Sequence, residues 1–178
     1  MENKNIYDLK YPIGEYDYQQ EVKPANIREW ITQIKAFPGQ MRETVSALSE
    51  DQLNLSYRPG GWSIHQLVHH VCDSHLNGYI RFKLALTENL PTIKPYDQEK
   101  WAQLPDYHQL PVKDSLDFLE LLHKRWVVLL HSMNETDFNR QLNHPESGIL
   151  SLKTYLGAYA WHCRHHLAHI TGALQKSH

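Results

Sequence analysis

Four long stretches of this chain carry apolar residues at the 3.6-residue period of a helix, and none carries a convincing alternation of the strand kind. That pattern restricts the fold more than any other feature. The first stretch is Pro24–Leu48, in which Pro38 and Gly39 are expected to kink or break the helix. The second is Ser63–Glu88, where Ser63 and Gln66 form an S-x-x-Q capping box after Gly60 and Gly61. The third is Val112–Met133. The fourth is Ser151–Lys176, with Ser151 or Thr154 near its start. Residues 49–62, 89–111 and 134–150 hold most of the Pro, Gly, Asn and Asp. Connections of that length suit crossovers or pocket-lining loops rather than tight helical hairpins. The expectation is an all-α four-helix bundle with long connecting loops, a single domain over residues 1–178.

Composition excludes several classes. The formal net charge is −2, with no long basic run, so nucleic acid is not an expected partner. No apolar stretch approaches the roughly 18 residues of a membrane span. The opening MENKNIYDLKYPIGEYDY lacks the apolar core of a signal peptide. Two cysteines, Cys72 and Cys163, make no disulfide framework, and a cytoplasmic setting follows. Cys163 lies on an apolar face and reads as a core thiol.

The unusual feature is 13 histidines, most of them clustered. YAWHCRHHLAHITG holds His162, His165, His166 and His169. Each helical residue turns by about 100°. With His162 at zero, Leu156, Tyr159, Cys163, Leu167, Ile170 and Leu174 centre near about 100°. His166 then points furthest inward, His162 flanks the core, His169 is marginal and His165 faces water. His162 and His166 stand at i, i+4, a spacing at which two imidazoles can share one metal ion. On the second helix, VHHVCDSH holds His69, His70 and His75, with His65 one turn earlier. His75 falls near the middle of the inner face, His70 at its edge, and His69 points away. Periodicity leaves His70 and His75 open as a third ligand, and either is equally well a hydrogen-bonded core histidine.

Other metal chemistry finds no support. A di-iron bundle needs two E-x-x-H motifs, and only Glu120–His123 occurs. There is no H-E-x-x-H, Walker loop, G-x-S-x-G or C-x-x-C.

Four segments in order resemble the YfiT family of the DinB/YfiT-like superfamily. They are YPIGEY (Tyr11–Tyr16), YRPGGWSIHQLVHHVCDSHLNGYIRFKLALTE (Tyr57–Glu88), PTIKPYDQEKW (Pro91–Trp101) and WHCRHHLAHI (Trp161–Ile170). The resemblance implies a four-helix bundle holding one divalent metal per chain, zinc first and nickel second. It implies His70, His162 and His166 as the ligands, which selects His70 on the second helix. His75 and His169 remain candidates for supporting a ligand or walling the pocket. It also implies a cytoplasmic homodimer acting as a metal-dependent hydrolase on a small-molecule substrate, which it does not name. Three neutral imidazoles leave a divalent ion open positions, so metal-bound water is the expected nucleophile. The general acid and base are not identified. The same open position would also suit an S-transferase that ligates a low-molecular-weight thiol. Relatives elsewhere in the superfamily look like thiol transferases and isomerases. A third reading is a metal-binding bundle without turnover.

Overall fold

The structure is a computed structural model, which describes residues 5–176. Four long helices form the bundle: α2 (Pro24–Val45), α4 (Ile64–Thr87), α7 (Val112–Ser132) and α9 (Leu152–Gln175). Each lies within a few residues of its expected span. The connections carry α1 (Ile6–Lys10), α3 (Glu50–Leu53), α5 (Gln98–Trp101), α6 (Asp106–Gln109) and α8 (Glu135–Asn139). The last connection also forms a hairpin, β1 (Gln141–His144) and β2 (Gly148–Ser151), paired antiparallel with Leu142 opposite Leu150. No strand was expected. Four-residue strands are too short for alternation to stand out, and this pair is held by its neighbours. Ile93 N donates to Asn143 O, and Asn143 N donates to Pro91 O.

Local chemistry accounts for the starts of the helices. The Ser63 hydroxyl accepts from Gln66 N at 3.1 Å, and Gln66 Oε1 accepts from Ser63 N, so the capping box forms as expected. Ser151 caps α9 through Thr154 N. Pro24 opens α2 at its first position, where a missing N–H costs nothing.

Pro38 does not break α2, which runs unbroken from Pro24 to Val45. Proline at 38 cannot donate to the carbonyl of Ile34, four residues earlier. That carbonyl is buried and would be left without a donor. The Nδ1 of His123, on α7, lies 2.7 Å from Ile34 O and replaces the missing donor. His123 is thus turned into the core. Glu120, the other half of the single E-x-x-H, turns outward and pairs with Arg42 Nε at 2.6 Å.

α2 packs against α7 and α9, and α4 packs against the same two helices. Successive long helices α2 and α4 therefore sit diagonally, which explains the long connection between them. Adjacent α4 and α9 carry the two histidine clusters. Between them lies a core that includes Leu67, Val71, Phe82, Trp126, Leu156 and Ile170, all nearly or fully buried. Burying each such side chain contributes about 1.5–3 kcal/mol. Close approach of α4 to α9 depends on Gly78, where an added Cβ would fall 2.4 Å from the Tyr159 ring. That ring has no room to retreat. Its centroid is 5.1 Å from that of Trp126, and its hydroxyl donates to Ser74 O at 3.0 Å. Gly78→Ala is expected to destabilise the fold by about 1–3 kcal/mol through overpacking. Urea unfolding measures this, and an unchanged midpoint would contradict the described contact.

Candidate metal centre

His70 comes from α4, and His162 and His166 come from successive turns of α9. One ring nitrogen from each lies within 4.8 Å of the others. The ring centroids of His162 and His166 are 4.3 Å apart, and those of His70 lie 5.6 and 5.0 Å from them. His70 and His166 are buried, while His162 is half-buried. A second triple, His165, His166 and His169, also brings one ring nitrogen from each within 4.8 Å of the others.

Hydrogen-bond logic separates the two triples. A carbonyl oxygen only accepts, so Ile34 O requires the proton of His123 on Nδ1. His123 Nε2 is then an acceptor, and it lies 2.8 Å from His75 Nδ1. His75 must donate there, leaving its Nε2 as an acceptor 3.1 Å from His162 Nδ1. His162 donates in turn, and its Nε2 keeps a lone pair, with the Ser74 hydroxyl a long 3.5 Å away. A second chain starts at Lys10 O, 3.1 Å from His169 Nε2. His169 Nδ1 then accepts from His166 Nδ1 across a longer 3.4 Å contact. His166 Nε2 is likewise left with a lone pair. The two lone-pair nitrogens face each other at 3.1 Å. In the second triple, by contrast, His169 spends both nitrogens on hydrogen bonds.

Two acceptor nitrogens at this distance repel unless a cation lies between them. With metal–nitrogen bonds of 2.0–2.1 Å, tetrahedral coordination would place them about 3.3 Å apart. His70 Nδ1 is buried with no hydrogen-bond partner. Burial holds the rings neutral, as metal ligation requires. His70 is pushed down to about 3 by burial, with His165 and His169 adding to the effect. His162 and His166 are pushed well below the usual range, by burial first and neighbouring imidazoles second. The residues present therefore fit a divalent ion.

The site opens onto two cavities. One of about 650 Å³ is walled by His70, Ser74, Arg81, Tyr155, Tyr159 and His162, among others. One of about 300 Å³ lies under the N-terminal segment and includes Tyr11, Tyr57, Trp62, His166 and His169.

Three of the expected orientations are corrected. His165 was expected to face water, but it is buried. Trp161 stacks on it at 4.2 Å between ring centroids, and Tyr11 lies beside it. His169, expected to be marginal, is buried against Tyr57 at 4.1 Å and bonded to Lys10 O. His69, expected to point away, is buried against Tyr107 and lies 2.8 Å from Ser115 Oγ through Nδ1. In each case a loop or the N-terminal segment covers the helix face that periodicity assigns to solvent. His123 stands out in the sequence only as half of the single E-x-x-H, which gives no hint of its place in this network. A proline within a helical period, which frees the carbonyl four residues earlier, was the available signal.

Two measurements test this network. Long-range nitrogen–proton NMR on metal-free protein should find Nδ1–H on His75, His123, His162 and His166, and Nε2–H on His169. An Nε2–H on His75 or His162 would break the chain. The second test is pH dependence. Burial pushes His123 down to about 4 from an ordinary 6.5. The unfolded chain takes up this proton first as pH falls. Stability present above 6.5 should therefore fall as pH drops toward about 4. His123→Asn should flatten that slope and cost about 1–3 kcal/mol at neutral pH, measured by urea unfolding.

Comparison with known proteins places this geometry. Residues 33–170 match the model of the DinB superfamily. A relative from Bacillus cereus, named "Putative metal-dependent hydrolase", is 53% identical over 164 residues, covering 92% of this chain and 94% of its own. A relative from Oceanobacillus iheyensis bearing that description is 50% identical over 167 residues, covering 94% and 96%. Among solved structures, YfiT from Bacillus subtilis superposes with a TM-score of 0.92 at 40% identity, covering 96% of this chain and 98% of that one. It is described as "a probable metal-dependent hydrolase with an unusual four-helix bundle topology". Family match, sequence identity and bundle agree, and the chain belongs to the DinB superfamily as a YfiT-like member.

Proposed function

We propose that this protein is a metal-dependent hydrolase that holds one divalent ion on His70, His162 and His166. The observation that carries the reading is the pair of lone-pair nitrogens on His162 and His166, 3.1 Å apart beside His70, where His70 and His162 line a large cavity. Its relatives' names support the same class. When bound, a divalent ion held by three imidazoles supplies Lewis acidity, acidifying water and polarising a carbonyl-type electrophile. Zinc is the working ion in this reading, and nickel suits the same donors.

The chain's own residues do the rest. His75 and His169 take the outward N–H of His162 and His166, which sets each ring's tautomer and angle. Their anchors are fixed backbone carbonyls, so it is carbonyls rather than carboxylates that keep the rings oriented. Trp62 packs over His70 at 4.6 Å between centroids and limits water on that side. The cavity of about 650 Å³ receives the substrate, a small molecule. The reading also carries the homodimer and cytoplasmic setting implied by the resemblance, and treats residues 1–178 as one domain.

Metal content per chain tests the proposal. It is to be measured by mass spectrometry on untagged protein purified without a nickel column. About one zinc per chain is expected, lost in His166→Ala. In His75→Ala zinc should bind 10–100-fold more weakly. Zinc-dependent turnover on an ester, amide and lactone panel completes the test. No metal in the wild type, or metal unaffected by His166→Ala, would overturn the reading.

A further inference from the structure

The large cavity has a second polar pole. Arg81 lies on α4 eleven residues after His70, which places both on one helix face about 16 Å apart along the axis. It is 8% exposed and walls the same cavity as His70 and His162. A guanidinium has five N–H donors and does not lose its charge in proteins. Two of those donors are committed to neutral acceptors. Nη1 donates to the Tyr155 hydroxyl at 2.9 Å, and Nη2 donates to Lys94 O at 3.0 Å. Among the described residues, the ion pairs within 4.0 Å involve Arg42, Lys100 and Lys113, and none involves Arg81. Two carboxylates do reach the cavity, Asp97 and Glu146, and both are exposed. Asp97 is already paired with Lys100 at 3.1 Å.

A buried charge without a counter-charge is costly, and burial is normally accompanied by an ion pair. Arg81 is not a simple helix cap. Arg140 plays that part for α4, donating to Ala85 O and Glu88 O at its C-terminal end. Arg81 sits a turn and a half inside the helix, facing the cavity. Its neighbour Tyr155 stands seven residues, about two turns or 10 Å, before His162 on α9. The cation and the histidines thus mark two ends of one cavity.

We propose that Arg81 binds an oxyanion, a carboxylate or phosphate, at the end of the substrate remote from the bond attacked at the histidines. This deepens the hydrolase reading and rests on it for the position of that bond. The substrate is then an elongated anion, with roughly 10–16 Å between its charged end and its reacting group. Fork-shaped pairing of guanidinium with a planar or tetrahedral oxyanion supplies both affinity and orientation.

The test uses the full-length chain, as purified and after zinc loading. Acetate and inorganic phosphate are titrated separately at low ionic strength while the Arg81 Nε–H resonance is followed by NMR. Zinc per chain is measured on the same samples. At least one anion should shift that resonance saturably, and Arg81→Gln should weaken its binding at least tenfold with zinc content unchanged. Saturation by acetate alone assigns a carboxylate, and saturation by phosphate alone assigns a phosphate. Anion binding equal in wild type and Arg81→Gln, or an unmoved resonance, would overturn the proposal and leave Arg81 as a strut between Lys94 and Tyr155. If Arg81→Gln fails to fold, the wild-type resonance decides alone. A chain that binds no zinc while Arg81 still binds the anion would sink the hydrolase reading and leave the oxyanion site standing.

Discussion

A neutral imidazole buried between helices must find a donor for one nitrogen and an acceptor for the other, and that requirement organises the middle of this bundle. Both nitrogens of His75 and of His123 are paired inside the protein. Two backbone carbonyls, those of Ile34 and Lys10, are the fixed points of the network. Because a carbonyl cannot donate, each fixes one proton, and every proton further along follows. The polarity of the chains runs inward. Both end on lone pairs, at the place where α4 and α9 bring three rings together.

Both anchors are carbonyls that regular structure leaves free. Pro38 withholds the donor that Ile34 would have had within α2. Lys10 is the last residue of the short helix α1, where carbonyls lack an intrahelical partner. A feature that weakens a helix in one place therefore orients a ring elsewhere. This differs from the commoner arrangement in which a carboxylate supports a metal-binding histidine. Carbonyl support adds no negative charge, so the site retains the full charge of any bound cation.

The cavity beside these rings is polar at both ends and aromatic between them. Tyr155 and Tyr159 line it from α9, and burial pushes the Tyr159 hydroxyl well above its usual range, so that it stays a neutral phenol. Tyr155 accepts from Arg81, and Tyr159 donates to Ser74 O. Gly78 lets the far end of the Tyr159 ring approach α4 closely. The same close approach that packs the core thus sets the wall of the cavity, and packing and site geometry are coupled there.

Helical period and capping determined the four long helices, because an amphipathic helix must bury its stripe wherever its neighbours lie. The start of α4 was legible in Ser63 and Gln66, and the inward pair His162 and His166 in their spacing. His70 against His75 was not legible from periodicity, since both fall on the buried side and both reach His162, and what separates them is that His70 also lies against His166 while His75 meets the Nδ1 of His162. The resemblance named His70, and the structure sets it beside the α9 pair, with His75 behind His162. The burial of His69, His165 and His169 was equally hidden, because segments remote in sequence cover them. Periodicity reports which face of a helix meets the core, not which loop lies on the other face. Which carbonyl meets His123, and which cavity holds Arg81, are decided by packing between chain segments far apart, and so only by the tertiary structure.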